Sequence, residues 1–305
     1  VALAPNVPPV AAFSSSASGR TVNFNAGGST DTDGSIVTYA WNFGDGNNGT
    51  GETASNEYPA EDGTYQVTLT VTDDDGATHS ITKPVVIDVP DPGQEVLRDV
   101  FGRTVASGWG NADLGGAWTI GSGASAFSVN GAAGRVSLPA GGGRETYLGA
   151  TTLREVDMSF DYALDKPVTG GGIFLDTIIR RVDASNSYRA KVVALADGRV
   201  RVDLVRTVAG ANTTLGSGIV PGLTYTSGEV LKVRVQALGL SSTNLKVRVY
   251  KAGTPEPTTW SMERTDNSAA LQVAGSVGYY FYVSGSTSNG PQVFSIDEFT
   301  ARAGD

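Results

Sequence analysis

Cysteine is absent from this 305-residue chain, histidine occurs once and methionine twice. Without cysteine, neither a disulfide nor a thiolate metal site can form, and the redox compartment stays open. The one histidine, His79, lies in the first third of the sequence. The remaining two thirds therefore cannot assemble a Ser-His-Asp triad or a histidine zinc site.

Long apolar runs are also missing, and no window approaches the roughly 18 apolar residues of a membrane-spanning helix. The first residues, "VALAPNVPPVAAF", lack the positively charged start of a signal peptide and are typical of a linker that leads into a domain. We therefore expect a chain with no membrane span that is attached to further domains of a longer protein.

Basic residues are scarce in the first part of the chain. Residues 1–90 contain eleven acidic side chains but only Arg20 and Lys83 as basic ones, whereas residues 91–305 contain twenty of each kind. The whole net charge of −9 thus belongs to residues 1–90. Nucleic acid is not an expected partner, because phosphate binding needs clustered Lys and Arg. Calcium is a better match, since hard cations prefer carboxylate and carbonyl oxygens.

Glycine is abundant, with 40 residues, and short runs alternate apolar with polar side chains. Such runs, separated by turn residues, predict an all-β chain. The segment "VIDVPDPGQEVL" interrupts them with Pro90, Pro92 and Gly93, which is typical of a linker. We therefore predict two domains, residues 1–90 and residues 91–305.

The first domain contains four alternating runs, "RTVNFNA", "SIVTYAWNF", "TYQVTLTVTD" and "HSITKPVVI". Several short strands in about 90 residues predict a small antiparallel sandwich. In the third run, Val67, Leu69 and Val71 share one face and are predicted to lie in the core.

The second domain continues with short strands and shows no helical periodicity. The string "LKVRV" begins at Leu231 and again at Leu245, and the intervening "GLSSTN" predicts a hairpin. A jelly roll of two sheets is the predicted architecture, and two successive smaller sandwiches are the alternative.

Two segments of the first domain, "GSTDTDGSIVTYAWNFGDG" and "GTYQVTLTVTDDDGA", resemble the PKD family, an immunoglobulin-like β-sandwich of many secreted and cell-surface proteins. The resemblance covers roughly residues 6–89. Trp41 is predicted to fill the core between the sheets, while Gly44 and Gly46 permit a tight turn and Asp45 binds backbone amides within it.

The PKD resemblance also implies a calcium site near the start of that domain. The matching positions in this sequence are Asn6, Asp31, Asp33 and Asp73. A cation would relieve the mutual repulsion of three carboxylates. The alternative is that "DTDG" only forms a turn, because Asp and Gly are common turn residues.

The second domain resembles the laminin-G or concanavalin A-like jelly rolls over roughly residues 95–303, through "LRDVFGRTVASGWG", "GAWTIGSG" and "FSIDEFTARA". In related laminarinase-type hydrolases, a calcium ion ties the first strand to the last. The resemblance therefore implies Asp99 and Asp297 as calcium ligands. The alternative is that these acids pair with Arg98, Arg103 or backbone amides.

The same hydrolases carry their two catalytic carboxyl groups on one strand, in a Glu-x-Asp-x-(x)-Glu pattern. This sequence has "EVDMSF", so Glu155 and Asp157 are present but Ser159 and Phe160 stand where the last acid belongs. Without that acid the leaving group has no proton donor. We therefore expect no enzyme of this type and interpret "EVDMSFDYAL" as a strand with one solvated acidic face.

Sugar sites combine an exposed aromatic ring with planar polar side chains. Tyr188 stands beside Asn186 and follows Arg180 and Arg181, which makes this group, with Trp260, the predicted carbohydrate site. Core or plain surface positions are the alternative for each ring. In "GYYFYV", alternation places Tyr279 and Phe281 on one face and Tyr280 and Tyr282 on the other, so one pair is predicted to be buried.

Six cations alternate with valine in "RVRV" and in both "LKVRV" strings, and are predicted to face outward: Arg199, Arg201, Lys232, Arg234, Lys246 and Arg248. If their strands are neighbours, they form a basic stripe for a sulfated or uronic polysaccharide. The alternative is the ordinary solvated face of a sheet, with acids such as Asp203 nearby.

We expect a non-catalytic, calcium-binding ancillary region of a larger secreted or cell-surface protein, in which a PKD spacer presents a lectin-like jelly roll. The expected partner is a polysaccharide or glycan, including an anionic one. A cell-surface adhesion or protein-interaction module is the alternative, followed by a polysaccharide-degrading enzyme with an unrecognised site.

Overall fold

The computed structural model describes residues 5–18, 20–59, 63–87, 93–239 and 241–304. The chain divides into two compact units, Val1–Val89 and Pro90–Asp305. Pro90 and Pro92 of the predicted linker lie outside the described residues. The predicted all-β architecture is confirmed. The helices in the described ranges are two 3₁₀ turns, Ala124–Ala126 and Ala269–Leu271, and neither is long and apolar enough to cross a membrane.

The first unit is a sandwich of two antiparallel sheets. The strands are β1 (Ser14–Ser18), β2 (Thr21–Asn25), β3 (Ile36–Asn42), β4 (Asn48–Thr50), β5 (Thr53–Glu57), β6 (Gly63–Asp73) and β7 (Thr78–Ile87). One sheet has the strand order β1-β2-β5 and the other has the order β4-β3-β6-β7.

Trp41 joins the two sheets of the first unit. It is 2% exposed on β3, and its ring centroid lies 5.3 Å from that of Phe24 on β2. The indole nitrogen donates to the carbonyl of Gly51 at 2.9 Å, so burial leaves no polar atom unpaired. Val67, Leu69 and Val71 are also buried, as alternation predicts.

The turn after Trp41 has the structure that its residues predict. Gly44 has φ +80°, and a Cβ there would lie 2.7 Å from the carbonyl oxygen of Gln66, so only glycine fits. Asp45 accepts hydrogen bonds from the Asn47 amide at 3.0 Å and from the Asn56 side chain on β5 at 2.7 Å. The turn therefore ties one sheet to the other.

The second unit is a larger sandwich whose strands run from β8 to β23. They are β8 (Glu95–Asp99), β9 (Thr104–Val105), β10 (Trp118–Ile120), β11 (Phe127–Asn130), β12 (Gly134–Leu138), β13 (Gly143–Leu153), β14 (Val156–Leu164), β15 (Ile173–Arg181), β16 (Ser187–Ala194), β17 (Arg199–Val208), β18 (Ala211–Thr224), β19 (Leu231–Leu238), β20 (Thr243–Lys251), β21 (Met262–Asp266), β22 (Gly275–Val283) and β23 (Gln292–Ala303).

Two sheets form this sandwich. The front sheet has seven strands in the order β10-β13-β22-β15-β16-β17-β18, and the back sheet has nine, in the order β21-β20-β19-β14-β23-β12-β11-β9 with β8 also paired to β23. Late strands lie between early ones in both sheets. The unit is therefore one jelly roll, and the alternative of two successive sandwiches is wrong.

Aromatic rings fill the space between the front and back sheets. Tyr279 on β22 lies 5.0 Å from Phe160 on β14, and Phe281 lies 5.1 Å from Phe294 on β23, all measured between ring centroids. Tyr279 and Phe281 are thus the buried pair of "GYYFYV". Trp109 and Trp118 belong to the same core.

Two strands behave as their sequences predict. The "LKVRV" strings form the hairpin β19–β20, in which Val233 lies opposite Val249. Strand β14 alternates strictly between buried and partly exposed residues, with Asp157, Ser159 and Asp161 on its outer side. This is the solvated acidic face expected of "EVDMSFDYAL".

Replacing Trp41 by alanine is expected to destabilise the first unit by about 3–5 kcal/mol, because the change empties the space between its sheets. Calorimetry of the full chain measures this as a lower transition temperature for the first unit alone. Val37→Ala, at a side chain that is 56% exposed on the same strand, is the control and should shift the transition little. An equal shift for both variants would contradict the role given to Trp41.

Candidate functional site

Tyr188 and Arg180, two members of the predicted sugar site, lie inside the second unit and are 0% exposed. The Tyr188 hydroxyl donates to the Asp266 carboxylate at 2.7 Å. Arg180 donates to the carbonyl oxygens of Leu271, at 2.7 Å, and of Arg154. Both side chains are buried and hydrogen bonded inside the unit, so the prediction of an exposed sugar site at Tyr188 and Arg180 is wrong.

A β-bulge is the physical reason. The register of β15 against β16 shifts between Ile178 and Arg180, which restarts the alternation and turns Arg180 inward. Arg181 stays on the outside, where it donates to Glu145 at 3.1 Å and its guanidinium lies 4.1 Å from the centroid of the Tyr147 ring. Of the two predicted arginines, only Arg181 faces solvent.

Asn186 shapes a turn between β15 and β16. Its side-chain amide donates to Asp183 at 2.8 Å, and its oxygen accepts from the backbone amide of Ala209 at 3.0 Å. Both polar ends of Asn186 are engaged, which indicates a structural role in the turn.

Trp260 lies over the outer side of the back sheet and is partly exposed. Its ring centroid is 4.1 Å from the guanidinium carbon of Arg248 and 5.7 Å from the Lys246 ammonium nitrogen, both within cation–π range. Trp260 is therefore remote in the fold from Tyr188, and its contact with a glycan stays a prediction.

The predicted basic stripe is divided between two sheets. Arg199 and Arg201 lie on β17 of the front sheet, whereas the other four cations lie on β19 and β20 of the back sheet. Each of those four pairs with an acid: Lys232–Asp161 at 2.7 Å, Arg234–Asp157 at 2.5 Å, Lys246–Glu263 at 3.6 Å and Arg248–Glu256 at 2.5 Å. The prediction of a single basic stripe is wrong, because sheet order depends on long-range pairing.

The outer face of the front sheet brings together residues that lie far apart in the sequence. The strand registers align one side chain from each of five adjacent strands, β13, β22, β15, β16 and β17, into a row that we call the polar row: Glu145, Tyr280, Asp176, Lys191 and Asp203. Carboxylates, an ammonium and a phenol thus stand side by side. The row offers hydrogen-bond donors and acceptors along one line.

Aromatic rings flank the polar row. Tyr282 and Phe174 are directly opposite each other on β22 and β15, with ring centroids 5.6 Å apart, and both are partly exposed. Tyr147, on the other side of the row, is also partly exposed. We call this surface, the polar row with Tyr147, Tyr282 and Phe174, the aromatic-polar face.

Asp176 lies at the centre of the aromatic-polar face but is only 2% exposed. Burial raises the pKa of its carboxyl group, and the positive charges of Lys191 and Arg189 oppose this rise. The Lys191 ammonium is 3.3 Å and the Arg189 guanidinium 3.7 Å from one oxygen of Asp176. The neighbouring cations partly offset the cost of burying this carboxylate, although the oxygen that they approach has no hydrogen-bond partner.

Sequence reasoning did not single out Asp176 or Lys191. One signal was present, since Asp176 interrupts the apolar run "GGIFLDTII" of β15. An acid within such a run is expected only where it has a partner or a function. The row itself could not be predicted, because it depends on the registers of five strands.

Asp99, the first of the two acids proposed for calcium in the second unit, is fully buried. Arg103 donates to both of its oxygens at 2.7 Å, and the indole nitrogen of Trp118 donates to one of them at 2.7 Å. The set of contacts is complete and does not fit a calcium ligand. The structure instead shows the alternative interpretation, in which Asp99 forms an ion pair with Arg103.

Of the four residues proposed for calcium in the first unit, two are linked to each other and a third accepts from the backbone. The Asn6 side chain donates to Asp73 at 3.0 Å, and the backbone amide of Val7 donates to Asp33 at 3.0 Å. In the described part of the chain, no three acidic or histidine side chains are arranged to hold a metal ion.

Asp31 nevertheless fits a cation ligand. Both of its carboxylate oxygens are shielded from solvent and lack a hydrogen-bond partner. A Cβ on Gly34 would lie 2.8 Å from one of these oxygens and 2.4 Å from an oxygen of Asp74, so the two carboxylates border the same small space. The Asp74 oxygen accepts from the Ser35 amide at 2.7 Å, whereas the Asp31 carboxylate has no hydrogen-bond partner, and its uncompensated charge beside a second carboxylate attracts a hard cation.

Asp297, the second acid proposed for calcium in the second unit, has one buried oxygen without a partner. Burial raises the pKa of its carboxyl group, and the charges of Glu298, Asp161 and Asp99 raise it further. A raised carboxyl pKa means that folding disfavours the charged form, so the charge destabilises the fold above that pKa.

Asp297→Asn is therefore expected to raise the Tm of the second unit at pH 7. The difference from the parent chain should shrink as the pH falls through the raised pKa, because both side chains are then neutral. Asp161→Asn is the control, since it removes an acid that pairs with Lys232 and should not raise Tm. A gain that does not depend on pH would contradict this account.

Comparison with known proteins identifies part of the chain. Residues 4–89 match the PKD domain family. A microbial collagenase of Vibrio alginolyticus is 36% identical over 90 residues, and the metalloprotease PrtV of Vibrio cholerae is 40% identical over 85 residues. The matched regions are 30% and 28% of this chain but only 11% and 9% of those proteins.

Two solved structures are similar to parts of this chain. The PKD1 domain of Vibrio anguillarum Epp is 41% identical with a TM-score of 0.27, and it covers 28% of this chain and 100% of its own. The carbohydrate binding module CBM66 of Bacillus subtilis is 14% identical with a TM-score of 0.42, and it covers 61% of this chain and 95% of its own. Residues 4–89 of this chain are a PKD domain, as the family match and the relatives together establish.

Proposed function

We propose that the chain is a non-catalytic, carbohydrate-binding region of a larger extracellular protein, and that the aromatic-polar face binds the glycan. The observation that carries the proposal is the juxtaposition of partly exposed rings with the polar row across the front sheet. Sugar rings present apolar C–H faces to aromatic side chains, while their hydroxyl groups need donors and acceptors at fixed positions.

The fixed geometry of the polar row supports this proposal. Arg189 donates to the Ser187 hydroxyl at 3.0 Å and Arg181 donates to Glu145 at 3.1 Å, while Lys191 lies 3.3 Å from Asp176, so these side chains are oriented before a ligand arrives. Preorganised side chains lose less conformational entropy on binding. The row contains three carboxyl groups and one ammonium, so it favours a neutral glycan over a polyanion.

The ancillary and extracellular parts of the proposal rest on the PKD domain. Its relatives include a collagenase and a metalloprotease, in which the matched region is about a tenth of the protein. We propose that the present chain is likewise one part of a longer protein and that another part supplies any catalysis.

Tyr282→Ala is expected to weaken glycan binding about tenfold, since it removes a stacking surface worth roughly 1.4 kcal/mol. The measurement is binding of the full chain to a polysaccharide array, with calcium and with a chelator. Trp260→Ala, at a ring over the opposite sheet, is the control. Loss of binding with Trp260→Ala but not with Tyr282→Ala would place the glycan on the back sheet and contradict the proposal.

A blank array with a folded chain would also contradict it. Capture of a protein partner without glycan binding would favour the adhesion module, and turnover of a polymer would favour an enzyme.

We also propose that calcium binds the first unit with Asp31 as a ligand. The unpartnered oxygens of Asp31 support this proposal. Calcium is expected to raise the Tm of the first unit, and Asp31→Asn to abolish the rise, because the amide carries no charge. Asp75→Asn, at an exposed acid near Asp73, is the control and should keep the rise. A Tm that calcium leaves unchanged would contradict the proposal.

A further inference from the structure

The outer side of the back sheet contains a cavity of about 410 Å³, on the opposite side of the second unit from the aromatic-polar face. We call it the back cavity. Its volume is in the range of small-molecule sites in proteins. The residues that line it come from four neighbouring strands and one connecting segment: Asp157, Ser159, Phe160, Asp161, Lys232, Val233, Arg234, Tyr250, Glu256, Glu298, Thr300 and Arg302.

Two small side chains create the depression. Ser159 on β14 and Thr300 on β23 lie directly opposite each other, and their hydroxyl groups are hydrogen bonded at 2.9 Å. Longer side chains surround them on all neighbouring strands. One wall comes from the segment between β20 and β21, whose Glu256 accepts from Arg234 at 3.1 Å. The floor is thus polar and short, and the walls are long and charged.

The cations of the back cavity are all paired with acids, one of which, Glu95, lies outside the lining. Four carboxylates and three cations line it, and each cation has an acidic partner: Lys232 with Asp161, Arg234 with Asp157 and Glu256, and Arg302 with Glu95. No cation is left to attract an anion. The pairs nevertheless hold their remaining donors and acceptors in fixed positions, and charged groups make the stronger hydrogen bonds.

The phenol ring of Tyr250 and the carboxylate of Glu298 complete the lining. Tyr250 lies on the wall and is partly exposed. Glu298 lies at a β-bulge, because the register of β14 against β23 shifts between Ser159 and Asp161. Its φ is +50°, a conformation that glycine adopts more easily, and the bulge directs its exposed side chain to the cavity.

We propose that the back cavity is a second sugar-binding site and takes a neutral sugar residue. Its ligand chemistry is inferred from the paired charges, which exclude a polyanion, and from the combination of hydroxyls, fixed donors and acceptors, and one ring. The two sites lie on opposite sheets, so the unit holds two glycan chains at once. This last step rests on the proposed function of the aromatic-polar face.

The number of sugars bound per chain tests the proposal. The probes are cellohexaose, laminarihexaose and xylohexaose, and the measurement is native mass spectrometry of the full chain with calorimetric titration. We expect two bound molecules of at least one probe. Ser159→Leu, which fills the floor from the outer side of β14, should reduce the number to one. Ser295→Leu, an outward-facing serine on β23 away from the cavity, is the matched control and should keep two.

The variants separate the two sites. At a sugar concentration below the tenfold-raised Kd of the aromatic-polar face, Tyr282→Ala should also leave one molecule bound, and the double variant Ser159→Leu with Tyr282→Ala should leave none. If the parent chain binds one molecule and Ser159→Leu still binds it, the proposed site in the back cavity is overturned but the site on the aromatic-polar face is not. If the parent chain binds one molecule and only Ser159→Leu abolishes this binding, the site in the back cavity is supported and the site on the aromatic-polar face is overturned. Binding of none of the three probes overturns both.

Glu298→Gly provides a test that does not depend on filling the cavity. The change relieves the positive φ, so the Tm of the second unit should not fall, while affinity of the back cavity should fall about tenfold. Asp197→Asn, at an exposed acid of the front sheet, should change neither. Unchanged affinity with Glu298→Gly, or tighter binding of a sulfated hexasaccharide than of the neutral probes, would contradict the proposal.

Discussion

The second unit depends on one constraint: each of its sheets buries one face against the other and leaves one face to water. The inner rows must be apolar, and rings such as Tyr279 and Phe160 meet there at 5.0 Å. The outer rows face water and do not need to be apolar. Both candidate sites consist of outer rows, where the chain can place charged and aromatic side chains without weakening the core.

Local patterns predicted the features that depend on neighbouring residues. The alternation of "GYYFYV", the hairpin of the two "LKVRV" strings and the corner after Trp41 each involve residues that are close in sequence, and the structure confirms them. Tyr188 and Arg180 show where this reasoning fails. A bulge in β15 changes which residues face inward, and composition does not reveal a bulge.

The candidate sites could not be predicted for a related reason. Asp176 meets Lys191 across the local hairpin β15–β16, but it meets Tyr280 only because β15 also pairs with β22, more than a hundred residues later in the chain. The back cavity depends on Ser159 facing Thr300, at a comparable separation. The acids and bases of both sites were visible in the sequence, but their partners were not. The cations of the predicted basic stripe on the back sheet are paired with acids. Because these charges are paired, a neutral ligand suits the site better than an anionic one.

The pairing of the first strand of the second unit with its last one also determines how the unit resists tension. Gly93 donates to the carbonyl of Ala303 at 3.0 Å, and Glu95 lies opposite Arg302, so both ends of the unit emerge at the same point. A force that pulls these ends apart loads the hydrogen bonds of β8 one after another, as in a zipper. The peel would reach Asp99, whose buried contacts with Arg103 and Trp118 must break together. We therefore expect this edge to yield first and the contacts of Asp99 to resist further unravelling.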